Sequence, residues 1–251
     1  MKKLILFILL VCAVPKLWSQ DRYLFEAQKP AEDRNFRIPL IGETAPSFTA
    51  ESTNGELKFP DDYGKNWKVL FSHPQDFTPV CSTELLELAN LQDQFDKLGV
   101  KVVAISTDRL ATHEQWKKAM ESLAYKDRKP VTIDFPLVAD EDLSISKKYG
   151  MIHPESNTTR DVRGVFIIDP DNKIQAIYFY PKTVGRNTDE LIRMITALEK
   201  TSNEYVMTPA NWKAGEDVLV PTIPNSEASS AELSSEGLYN LAWFVWYKKE
   251  K

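Results

Sequence analysis

The residues best placed to do chemistry lie in one short stretch, His73-Pro74-Gln75-Asp76-Phe77-Thr78-Pro79-Val80-Cys81, followed at once by Ser82-Thr83-Glu84. An apolar run, Val69-Leu70-Phe71, precedes it and an amphipathic stretch follows, so Cys81 falls where a strand gives way to a helix. At a helix start the sulfur faces unpaired N–H groups and the positive end of the helix dipole, which favours the thiolate. Lowering a free thiol from a pKa of about 8.5 to about 6 raises its ionised fraction at pH 7 roughly thirtyfold. That is about 2 kcal/mol, far less than enzymatic barrier lowering, so ionisation alone is not a mechanism. Attack by sulfur moves charge onto the departing group and needs fixed donors there. Thr78 offers a hydroxyl, the Cys81 N–H offers a second donor, and Pro74 and Pro79 stiffen the loop. A guanidinium, whose planar fork can hold sulfur and oxygen together, must come from elsewhere in the chain.

Stepping outward, residues 48–198 alternate between short β-branched runs and amphipathic segments, the pattern of a layered α/β fold. Val69-Leu70-Phe71 and Val102-Val103-Ala104-Ile105 read as central strands covered on both faces. Leu88, Leu91, Phe95 and Leu98 share one face of a helix between them, which Gly99 ends. The unit is therefore βαβ, and Cys81 lies at the carboxyl end of its first strand, where open sheets bind ligands. Thr112-His113-Glu114-Gln115 reads as a capping box ahead of a stripe of Trp116, Met120 and Leu123, and Asp140 as the cap of a short helix to Tyr149. Asp169-Pro170-Asp171-Asn172 turns a hairpin between two strand-like runs, and Leu191, Ile192, Ile195 and Leu198 mark a closing helix. After Thr201 the sequence becomes proline-punctuated, a C-terminal arm or small subdomain. Its aromatic end, Trp243, Phe244, Trp246 and Tyr247, is too apolar for a free tail and is expected to cover another surface, such as a partner subunit.

Composition adds an address and a count. Met1-Lys2-Lys3 and the apolar run from Leu4 to Val14 have the charged and apolar regions of an export signal, too short to span a bilayer, with cleavage expected near Ser19. The protein is thus expected to be exported, periplasmic or secreted. A lipid anchor on Cys12 is the rival, disfavoured by the bulk of Val11. Without residues 1–20 the chain carries 28 basic and 36 acidic residues, which argues against nucleic acid as a partner. Of the two cysteines, Cys12 leaves with the signal, so Cys81 has no intramolecular partner and is either an inert buried thiol or a reactive one. His73, His113 and His153 are forty residues apart and no cysteine joins them, so no metal site is expected.

Pro-x-x-x-Thr-x-x-Cys, here Pro74, Thr78 and Cys81, resembles the peroxiredoxin active-site signature, and HPQDFTPVCSTEL is similar to the one-cysteine branch of that family. VRGVFIIDPDNKIQAIYFYPKTVGRNTDE and TPANWKAGEDVLVPTIP extend the resemblance over about residues 38–224. The resemblance implies a three-layer thioredoxin-like domain over residues 38–200 with a C-terminal arm over residues 201–251. It places Arg163 as the guanidinium beside Cys81, Arg186 as a second supporting arginine, Glu84 as the group orienting both, and His73 at the pocket mouth. It implies a peroxide substrate, a sulfenic acid on Cys81, an external thiol reductant, a homodimer or a larger ring, and no cofactor. The phospholipase segment of some animal members has a serine that Gly64-Lys65-Asn66-Trp67 lacks, so lipid hydrolysis is not implied. Two other classes stand beside the peroxidase. A thiol–disulfide oxidoreductase lacks its second cysteine, since Glu84 occupies that place, and an exported holdase would bind clients through the arm near Trp243 and Trp246.

Overall fold

The computed structural model describes residues 37–157, 159–222, 224, 233 and 235–250. The expected export signal, including Cys12 and Ser19, lies outside the described residues, as does most of 225–234. Seven strands form one mixed sheet: β1 (Phe48–Ser52), β2 (Gly55–Phe59), β3 (Trp67–Ser72), β4 (Val100–Ser106), β5 (Leu137–Ala139), β6 (Arg163–Ile168) and β7 (Ile174–Tyr180). Their order is β2-β1-β5-β4-β3-β6-β7. The two runs read as buried strands are β3 and β4; they pair in parallel, and every residue of β3 is buried.

Among the described residues five α-helices accompany the sheet: α1 (Pro79–Asn90), α2 (Gln92–Lys97), α3 (Leu110–Met120), α4 (Ser144–Lys148) and α5 (Thr188–Asn203). Along β3 the side chains alternate, as the strand period requires. Val69 and Phe71 enter one core with Leu85 and Leu88 of α1, Phe95 of α2, Trp116 and Met120 of α3, and Leu191 and Ile195 of α5. Leu70 enters the other with Phe48, Phe59, Ile145 and Tyr149. The sheet is therefore the middle of three layers, as expected.

Local readings need correction in three places. The helix between β3 and β4 is two helices, because Leu91 leaves the helical region at φ −100°, ψ 1° and shares its N–H between the Glu87 and Leu88 carbonyls. Thr112 is not a cap: α3 begins at Leu110, and the Arg109 carbonyl accepts from the N–H groups of Thr112 and His113. Asp140 does not occupy the cap position of α4, which belongs to Leu143 in the left-handed region. Its carboxylate nonetheless accepts from the N–H groups of Ile145 and Ser146, so it serves the helix start from outside.

Beyond α5, Val206, Trp212 and Val218 pack on Ala197 in a small core of their own. A second sheet, order β8-β10-β9, joins β8 (Val218–Leu219), β9 (Leu238–Ala242) and β10 (Val245–Lys248). β9 and β10 form a hairpin whose turn is Trp243-Phe244, with Trp246 Nε1 donating to the Trp243 carbonyl at 3.1 Å. Trp243 and Phe244 are 73% and 64% exposed, so no described part of the chain covers the tip.

Candidate active site

β3 delivers the chain to the loop 73–78, and α1 begins immediately after it. Pro79 opens the helix, where its fixed φ suits the first turn and its missing N–H costs nothing. Cys81 is the third helical residue, and its side chain is fully buried. β6 runs antiparallel to β3, with Phe71 opposite Val165, so the first residue of β6 is carried beside the end of β3. This pairing brings Arg163 to Cys81 across 82 residues of sequence: Arg163 Nη1 donates to Cys81 Sγ at 3.3 Å.

The Arg163 guanidinium is held on its other sides. Nη1 also donates to Glu84 Oε2 at 2.7 Å, and Nε and Nη2 donate to the Lys182 carbonyl at 3.1 and 2.6 Å. Glu84 lies one turn along α1 and is 3% exposed. It takes a fork from Arg186 as well, Nε to Oε1 at 2.9 Å and Nη2 to Oε2 at 2.7 Å, plus the Arg186 backbone N–H at 2.8 Å. Arg186 Nη1 donates to the Ser72 and Gly164 carbonyls, and its guanidinium lies over the Phe71 ring, 3.2 Å from the centroid. Burial pushes the Glu84 carboxyl up, but the Arg186 bonds and the two guanidinium charges outweigh it and hold it below the usual carboxylate range. Burial is also the larger influence on Arg186 and pulls it below the usual arginine value against the opposing pull of Glu84. Two guanidiniums against one carboxylate leave one positive charge in a buried cluster whose other partners are three backbone carbonyls and the Cys81 sulfur. Such a place stabilises an anion on that sulfur or on an oxygen bonded to it.

Two sequence expectations change here. The Thr78 hydroxyl does not stand free beside the sulfur; it donates to the Gln75 carbonyl at 2.8 Å, as a threonine three residues into a turn readily does, leaving its lone pairs to accept. His73 is not at a pocket mouth. It is fully buried, its ring 5.1 Å from that of Trp116, and its Nε2 is 2.8 Å from Asp76 Oδ1. Pro74, partly buried, follows it in the loop as expected.

The sequence reading missed what His73 belongs to. His73 and His113, far apart in sequence, converge on one carboxylate, with His113 Nδ1 2.7 Å from Asp76 Oδ2 and His113 Nε2 3.1 Å from the Val138 carbonyl. His153 takes no part and bonds the Gly150 carbonyl instead. Trp116, one turn after His113, reaches the same region: its Nε1 donates at 3.2 Å to Ser82 Oγ, which in turn donates to the Thr78 carbonyl. A signal for this was present, since His113, Trp116 and Met120 recur at helical spacing on the buried face of α3. The Lys182 carbonyl that grips Arg163 had no such signal, because any residue type supplies a carbonyl.

The chain is similar to known proteins over most of its length. The AhpC/TSA family model matches residues 41–177, and that of the C-terminal domain of 1-Cys peroxiredoxin matches residues 201–236. A peroxiredoxin of Methanosarcina mazei is 45% identical over 216 residues, covering 85% of this chain and 99% of its own length. Peroxiredoxin-6 of Gallus gallus is 42% identical over 195 residues, 75% of this chain and 86% of that one. Among solved structures, a variant of the peroxiredoxin 6 of Arenicola marina superposes with a TM-score of 0.74 at 36% identity, covering 84% of this chain and 99% of that one. The yeast mitochondrial 1-Cys peroxiredoxin gives 0.72 at 35% identity, over 85% and 100%.

Proposed function

The chain belongs to the peroxiredoxin family, in its one-cysteine branch, and is a thiol-dependent peroxidase; from that premise we propose how its residues divide the work. The observation that carries the division is the 3.3 Å contact of Arg163 Nη1 with the buried Cys81 sulfur, backed by Glu84. Cys81, as thiolate, attacks the nearer peroxide oxygen. The S–O bond forms, the O–O bond breaks, and the departing oxygen takes up a proton and leaves as water or alcohol. Arg163 and the first-turn N–H groups of α1 hold the charge that moves from sulfur to oxygen, Thr78 offers its oxygen to the peroxide proton, and Arg186 and Glu84 fix Arg163. Pro74 and Pro79 limit the loop's freedom.

The product is a sulfenic acid on Cys81. With Cys12 removed, no other cysteine in the sequence can resolve it, so an external thiol attacks the sulfenic sulfur, water leaves, and a second thiol splits the mixed disulfide. The yeast structure is described as resolving its thiol through glutathione and thioredoxin systems, and reductants of that chemistry are what this site calls for. Purified protein given equimolar peroxide should carry a sulfenate-specific adduct on Cys81 within seconds; an unmodified thiol would end the proposal.

The catalytic domain spans 38–200 and the arm 201–251. The chain is a homodimer, a reading supported by the outer position of β7 in the sheet and by the uncovered Trp243-Phe244 tip, and checked by sedimentation equilibrium. It is exported, a reading supported by the lysines and apolar run of residues 1–14, and mass spectrometry of the mature N-terminus from its host decides between a soluble form and a lipid on Cys12.

A further inference from the structure

We infer that Asp76 and His113 are positioning residues for the peroxidase reaction: one proton shared between Asp76 Oδ2 and His113 Nδ1 locks the loop 73–78 against α3, and the loop loosens when that proton leaves. The inference rests on the peroxide-reactive role of Cys81.

The count of protons follows from the contacts. His113 Nε2 faces the Val138 carbonyl, which only accepts, so Nε2 carries a hydrogen. His113 Nδ1 faces Asp76 Oδ2 at 2.7 Å, and an ionised carboxylate also only accepts. A neutral imidazole has a single N–H and cannot serve both. One further proton must therefore sit on the line between His113 and Asp76. The other oxygen needs none, since His73 Nε2–H can donate to Asp76 Oδ1 at 2.8 Å and leave Nδ1 bare. His73 Nδ1 is indeed buried with no partner among the described residues, which suits a bare lone pair better than a stranded N–H.

The surroundings keep that proton off the carboxylate. Burial pushes Asp76 up, but the bonds from His113 and His73 outweigh it and hold the carboxyl below its usual range. Burial keeps His73 below its usual value despite Asp76, hence neutral. The charged groups facing the pair, element by element, are Asp76 and His73 from the loop and Asp108 from the turn before α3. Asp108 accepts the Asp76 backbone N–H at 2.8 Å and is itself paired with Arg160 at 2.6 Å. β5 presents only the Val138 carbonyl. Losing the proton would leave one hydrogen for two acceptors: kept on Nδ1, it makes a bond to Asp76 weaker than the ion pair it replaces and sets the Nε2 lone pair against the Val138 carbonyl.

The consequence reaches the reacting sulfur through the backbone. Asp76 is the midpoint of the loop whose carbonyls hold the Thr78 hydroxyl and, at Thr78, both the backbone and side chain of Ser82 in the first turn of α1. A loosened Asp76 frees the frame that aims those groups, and misplacement of about 1 Å at a reacting centre costs up to about a hundredfold in rate.

Asp76→Asn separates proton from framework. An asparagine can accept from His73 with its oxygen and donate to His113 Nδ1 with its amide, keeping every bond while both imidazoles are neutral. The full chain is mixed with hydrogen peroxide in a stopped-flow instrument and the oxidation rate is followed by tryptophan fluorescence from pH 5 to 9.5. For wild type we expect an alkaline limb falling about tenfold per pH unit. For Asp76→Asn we expect a neutral-pH rate within about threefold of wild type and no such limb. Superimposable profiles would overturn the proposal. Should Asp76→Asn not fold, the wild type answers alone through the nitrogen-detected spectrum of its three histidines. One imidazole protonated on both nitrogens, losing a proton in step with the alkaline limb, supports the lock; three neutral imidazoles at pH 7, or an equimolar metal ion in the purified protein, overturn it. Failure of the peroxidase reading is distinct, since it appears as no sulfenate in wild type at any pH.

Discussion

Two buried carboxylates flank the start of α1, and each lies between two nitrogen-bearing side chains. Glu84 sits between Arg163 and Arg186, and Asp76 between His73 and His113. The contacts are alike in length, from 2.7 to 2.8 Å for these four pairs. The partners differ in whether they can change charge. Guanidiniums keep theirs at any accessible pH, so the Glu84 cluster is a fixed field with one surplus positive charge aimed at sulfur. An imidazole, unlike a guanidinium, can give its proton up, so the Asp76 cluster is held by a proton that can depart. The site thus separates the field that stabilises the reaction from the clamp that holds the loop in register.

The same chemical change, carboxylate to amide, should act unequally at the two places. Glu84→Gln leaves two buried guanidiniums facing each other without their counter-charge, and we expect a loss of about 3–5 kcal/mol in a urea titration. A loss no greater than that of Asp76→Asn would erase the distinction. Next in size, Arg163→Ala removes the donor at sulfur while Glu84 keeps Arg186. The protein should stay folded and react with peroxide about a hundred- to a thousandfold more slowly, equivalent to about 3–4 kcal/mol, and a variant as fast as wild type would remove Arg163 from the site.

Acid should reveal the fixed cluster by itself. Glu84 is held below its usual range when folded, so its contribution is present above the ordinary carboxylate value and is lost as pH falls through the depressed one. The stability gap between wild type and Glu84→Gln should therefore narrow in acid, by at most about 1.4 kcal/mol per pH unit, and a gap that widens would reverse the assignment. The smallest effect belongs to Thr78→Val. Its hydroxyl hydrogen is already committed to the Gln75 carbonyl, so we expect about 1 kcal/mol, roughly a fivefold slower oxidation, in the same stopped-flow assay.

How far these clusters could be read beforehand follows from how each is built. The sheet was legible because Val69-Leu70-Phe71 and Val102 to Ile105 are apolar on both faces, and such runs admit few other places. Cys81 and Glu84 were legible as neighbours on one helix. Arg163 and Arg186 became legible only through the family resemblance, since nothing local in either segment announces an antiparallel pairing with β3. The Asp76 cluster was hidden by a competing local reading. Thr112-His113-Glu114-Gln115 has the letters of a capping box, which sets the helix start two residues late, whereas the helix starting at Leu110 buries His113 on its inner face. The break at Leu91 has no glycine or proline to mark it.

The complete burial of Cys81 bears on kinetics as well as on chemistry. A peroxide brings two reacting oxygens into the site, but the thiol that must later reach the same sulfur carries a larger body. Recycling therefore waits on the chain to breathe, and its rate cannot rise without limit as more reductant is supplied. It should level off at a ceiling equal to the frequency with which the first turn of α1 opens, the same ceiling for small and large thiols alike. Such a ceiling belongs to the protein rather than to whichever thiol arrives.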